Sequence, residues 1–388
     1  MSRSLVSSRA FGALGLSFAL LPALSGCDGT SGDSAGGSVK IQIYGEEAAT
    51  DGFAFPTGSE VTISDGWEIH FTHVLVTIDR AWLSSDPDTA PSDQSRTGDV
   101  VAEAKGPWAI DLHKKGDALA AGGGVGAIPL ATIEDQNRKG GAPFVAGERY
   151  AFGYATAAAS DAAKIVNFAD DAEAVALYDE MKKEGYSIYY VGKATWKGTD
   201  CQSSDPSYDF DALPKTVDIQ LGFRTPSEYV NCQNQDNQGE PFEGEEYQRG
   251  VPIRDSRPSV AQMTFHLEHP LFSSVVHDSR LYFDQFVAPL AGEASGAVTL
   301  ESLAGLDPQG FTDAKGADLP FRICDGSTVP TVKQRYFETG SVPVDPKASP
   351  AKALRDYRDF VMYVQSTQGH LNGGEGLCFT KRGYPSPP

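Results

Sequence analysis

Apolar and polar positions begin to alternate at Val39 and do so in short runs: Val39–Tyr44, Trp67–Leu83, Trp108–Leu112, Arg149–Thr156, Tyr186–Trp196, Thr216–Phe223 and Val260–Leu267. Each run is rich in β-branched or aromatic residues and is bounded by Gly, Pro, Asp or Ser clusters, which is how strands are punctuated. Irregular spacing, long loops and no alternation of strand with helix predict a mainly β fold, an antiparallel β-sandwich over residues 39–270. One inserted helix is expected. Asp170 and Glu173 read as a capping box, and Val175, Tyr178 and Met181 recur at helical spacing up to Gly185.

Beyond Pro270 the pattern turns helical. Asp278–Val287 and Thr299–Ala304 are short candidates, and Ser349-Pro350 opens a longer one through Gln365, with Leu354, Tyr357, Val361 and Val364 on one face. Residues 271–388 are therefore expected to be a C-terminal part of short helices docked on the sheet.

The first 26 residues follow a different logic. Arg3 and Arg9 precede an apolar stretch from Phe11 to Leu24, and Leu24-Ser25-Gly26-Cys27 follows. This order is a lipoprotein signal peptide (1–26) with a lipobox, so Cys27 is the expected lipidation site. The apolar run is shorter than the roughly 20 residues a membrane span needs. Asp28–Ser38 reads as a flexible tether. The expected setting is extracytoplasmic, with the protein anchored by its lipid to a bacterial membrane, either at the outer membrane or surface or on the periplasmic face of the inner membrane. An oxidising compartment favours two disulfides among Cys201, Cys232, Cys324 and Cys378. Three connectivities are open. Cys201–Cys232 with Cys324–Cys378 is favoured, because each pair brackets a polar, turn-rich insertion.

Charge and motifs narrow the chemistry. With 32 Lys and Arg against 52 Asp and Glu, the net charge of −20 argues against a nucleic-acid partner. Gly32-Asp33-Ser34-Ala35-Gly36 matches the nucleophile-elbow spacing, yet it lies in the tether with no strand before it. Gly122-x-Gly124-x-x-Ala127 follows an Ala-rich loop rather than a strand, so it is not a dinucleotide fingerprint. No nucleophile–base arrangement is visible, and the chain is read as a non-enzyme.

Seven histidines are few, and four of them fall in pairs, His70 with His73 and His266 with His269. Imidazole is a common ligand for transition metals, so such pairs raise a metal hypothesis. On a strand, His266 and Glu268 share a face, and a turn at Pro270 would bring His269 back beside them. His70 and His73 would need a bulge and are the weaker pair.

The segments Tyr186–Lys197, Val217–Cys232, Phe265–Phe272 (FHLEHPLF), Leu281–Phe286 and Ser366–Cys378 (STQGHLNGGEGLC) resemble a group of myxobacteria-like lipoproteins of predatory and soil bacteria, to which no activity is assigned. Its members carry a His-acid-His-Leu-Phe segment, an EF-hand-like stretch and a closing Gly-His…Gly-Glu-Gly-x-Cys segment. The resemblance places His266, His269 and His370 at the group's histidines and Glu268 at its acid, usually aspartate. Pro270 is a departure from the pattern. The order of a sheet-rich first half, Trp108–Leu112 and a late histidine strand is also faintly similar to periplasmic copper-binding proteins of the methanobactin-partner type. In the EF-hand-like stretch, ligand positions fall on Ala291, Glu293, Ser295 and Ser302, a set too poor in carboxylates for calcium.

The expectation is thus a lipid-anchored envelope protein that binds one copper or zinc ion through His266, His269 and His370 for sequestration or delivery, with Glu268 or Asp278 orienting a ring. An envelope protein is a candidate partner. The competing expectation is a metal-free surface adhesion or assembly module that binds a polymer or protein through its loops.

Overall fold

Two large sheets share one apolar core. The computed structural model describes residues 36–382 except 57–60, 256, 277–278, 351 and 375. Cys27 and the signal segment, like His277 and Asp278, lie outside the described residues.

The smaller sheet has five strands, in the order Gly369–Leu371, Ser259–Phe265, Val39–Tyr44, Val125–Ile133 and Ala118–Leu119. Val39, Ile41 and Ile43 alternate into the core, as a period of two requires. The larger sheet is built around Trp67–Ser84, an 18-residue strand flanked by Val100–Asp111, Arg149–Thr156 and Ile188–Trp196. The fold is mainly β, with one correction to the antiparallel expectation. Val39–Tyr44 runs parallel to Ser259–Phe265, its partner more than 200 positions along the chain, and Thr216–Phe223 pairs in parallel with Ala297–Thr299. Parallel partners need a long crossover, which local patterning cannot reveal.

The inserted helix spans Ala172–Glu184 and ends on left-handed Gly185. Its cap is Asp171, not Asp170, and the Asp171 side chain accepts from the Glu173 and Ala174 amides. The late helix covers only Tyr357–Gln365, capped by Asp356. The preceding residues stay extended because Leu354 bridges to Val344 and donates its amide to Pro343. Between 278 and 304 the helical candidates shrink to Asp284–Val287 and a 3-10 turn at Glu301–Leu303. Residues after 270 also supply strands to both sheets. Among the described residues no helix is long and apolar enough to cross a membrane.

The disulfides overturn the favoured pairing: they are Cys201–Cys324 and Cys232–Cys378. Strand pairing decides this. Gln202 lies opposite Ile323 and Val230 opposite Phe379, so the cysteines next to these residues meet. The closed loops span 123 and 146 residues, for which chain entropy predicts about 5 kcal/mol of stabilisation each.

A buried charge network fastens residues 284–335 to the start of the long strand. Asp65 accepts from the Phe283 and Asp284 amides and from Arg335, while Asp284 pairs with Arg322 and accepts from the Trp67 indole. Burial, reinforced by Asp284, raises the Asp65 carboxyl from 3.8 to about 7, against the pull of Arg335.

Candidate metal centre

Strand Ser259–Phe265 leads into the site. Its partner Gly369–Leu371 places His370 opposite Thr264, and His266 lies two residues beyond Thr264, on the same face. The His266 amide donates to the Gln368 carbonyl, which extends the pairing. Gly369 is required here: a Cβ at that position would lie 2.2 Å from the Tyr154 hydroxyl. After His266 the chain enters a 3-10 turn, His269–Leu271, which Pro270 opens without needing an amide hydrogen. The turn brings His269 back.

Three imidazoles, from positions 266, 269 and 370, therefore meet. Ring centroids are 4.2 Å apart for His266 and His370, 5.7 Å for His266 and His269, and 5.6 Å for His269 and His370. All three residues are buried. One ligand atom from each of His266, Glu268 and His269 lies within 4.8 Å of the others, so this group could hold a metal ion.

The acceptors around the rings assign their protons. His266 Nδ1 lies 3.0 Å from Glu268 Oε1, and a carboxylate only accepts. His370 Nδ1 meets the Gly374 carbonyl, which also only accepts. His269 Nδ1 lies 2.8 Å from Thr367 Oγ1, whose own hydrogen goes to the Val364 carbonyl, so Thr367 accepts as well. All three rings thus carry their hydrogen on Nδ1. In the neutral form the lone pair is then on Nε2, and all three Nε2 atoms are shielded from water. A ring fixed through one nitrogen and basic at the other is the arrangement of metal-ligating histidines.

The surroundings complete the site. Phe272 packs on His269 with centroids 4.6 Å apart. A Cβ on Gly374 would come within 3.3 Å of His266 Cε1, so glycine there leaves room beside that ring. Glu268 lines an open groove of about 310 Å³ with Val61, Phe272, Arg280 and Leu281. Glu46 approaches His266 Nδ1 from the other side, at 3.7 Å.

The weaker pair goes elsewhere. His70 is exposed and lies 3.3 Å from Glu68, whereas His73 is buried and bonds to Asp111 at 2.8 Å. The strand register does shift between Phe71 and His73, yet the two rings take separate carboxylates. The EF-hand-like stretch forms a short strand and turn in which the Ser302 hydroxyl donates to the Thr299 carbonyl. Sequence reasoning passed over Thr367, Gly374 and Glu46. The only local signal was the nearness of Thr367 and Gly374 to His370. Comparison with family models, with curated proteins and with solved structures found no match.

Proposed function

We propose that this is a lipid-anchored envelope protein that binds one copper or zinc ion through His266, His269 and His370, for sequestration or delivery. The observation that carries the reading is the shared proton assignment of three clustered rings, each with Nδ1 spent on an acceptor and Nε2 left basic. Nitrogen donors of this kind suit copper and zinc better than calcium or magnesium. Glu268 acts on His266 as the carboxylate that orients a ligating ring. No reaction is required of the protein: affinity and release suffice.

The test is metal analysis of purified protein lacking residues 1–26, after equilibration with Cu(II) or Zn(II). The expected result is about one bound equivalent, lost when His266 and His269 are both replaced by alanine. Unchanged stoichiometry in that double variant rejects the site.

A further inference from the structure

Two carboxylates reach the Nδ1 edge of His266. Glu268 Oε1 is 3.0 Å away and Glu46 Oε2 is 3.7 Å away, and the two residues come from distant parts of the chain. Glu46 opens the helix Glu46–Asp51 with φ of 55°, a left-handed conformation that a glutamate seldom takes. Such strain is held where the surroundings over-determine it, commonly at functional sites. The two side chains are 26% and 14% exposed, so water screens their charge only in part.

Resting on the metal reading above, we infer that Glu46 is a positioning residue that sets the charge of this centre, and that the centre is charge-matched to a divalent cation. Three neutral imidazoles contribute no charge, and two carboxylates contribute minus two. A divalent ion balances that sum. A monovalent ion leaves a negative charge in a largely buried place, where imbalance is costly.

The experiment is competition titration of Zn(II), Cu(II) and Cu(I) on wild-type protein, Glu46→Gln and Glu46→Gly. Coulomb energy scales with the charge of the ion, so removing one carboxylate weakens a monovalent ion by the square root of the divalent loss. For an outer carboxylate the expected losses are about tenfold for Zn(II) and Cu(II) and about threefold for Cu(I). Glu46→Gly relieves the left-handed backbone and must give the same ratio, which separates charge from strain. Equal losses for both charge states, or no loss for the divalent ions, overturn the inference and leave the metal reading standing. Wild-type protein that takes up no metal overturns both.

Discussion

An imidazole binds a metal only through a nitrogen that has given up its proton, so the hydroxyl of Thr367 matters as much as the ring of His269. Thr367 passes its hydrogen to Val364 and thereby becomes an obligate acceptor for His269 Nδ1. Replacing Thr367 by Val keeps the shape and removes that acceptor. The expected outcome is a loss of metal affinity of about 10- to 100-fold and a cost to the metal-free protein of about 1–3 kcal/mol from the stranded Nδ1 hydrogen. Competition against a chromophoric chelator measures the first and urea unfolding the second. Affinity within about twofold of wild type would refute the proton assignment. His266, Glu268 and His269 were legible in the sequence because short-range spacing and Pro270 determine how they face one another. Thr367 was not legible, since a hydroxyl acquires its role from a partner 98 residues away.

At the scale of elements, capping and periodicity announced the helix Ala172–Glu184 to within a residue or two, and the same reasoning misjudged where the late helix begins. The difference lies in competing backbone partners: no strand competes for the residues before Ala172, whereas Leu354 is held by the Val344 segment. The inserted helix also bears on a titrating group. His73 sits in the strand Trp67–Ser84, and its proton is favoured first by the bond to Asp111, then by Asp171 and Glu173 at the start of that helix. Its pKa is raised above the ordinary 6.5, so the folded state binds the proton more tightly than the unfolded one. The stabilisation from this pair is therefore complete below the unfolded value and is lost as pH rises through the folded one. Thermal melts of wild type and His73→Gln from about pH 5 to 9 should show the widest gap at the acid end. A gap that widens with rising pH would show that Asp111 does not hold the imidazolium.

Across the whole molecule, long-range fastenings decide the architecture, and these were least visible in the sequence. Strand registers choose the disulfides, and the parallel partner of Val39–Tyr44 arrives only at Ser259. The same strand Ser259–Phe265 then carries the chain into the histidine centre, so the smaller sheet and the site share one backbone. The tie made by Asp65, Asp284, Arg322 and Arg335 is of this long-range kind, with Asp65 and Arg335 both fully buried. Arg335 also donates to Gln285 and lies over the rings of Tyr282 and Phe321. Charges buried this way add little net stability as a set, yet removing one partner leaves another uncompensated. Arg335→Met should therefore cost about 3–5 kcal/mol in urea unfolding. The double variant Asp65→Asn with Arg335→Met should recover part of that loss, because the stranded carboxylate has gone. Additive losses in the double variant would show that Arg335 acts through packing on Tyr282 and Phe321 and that its charge is incidental.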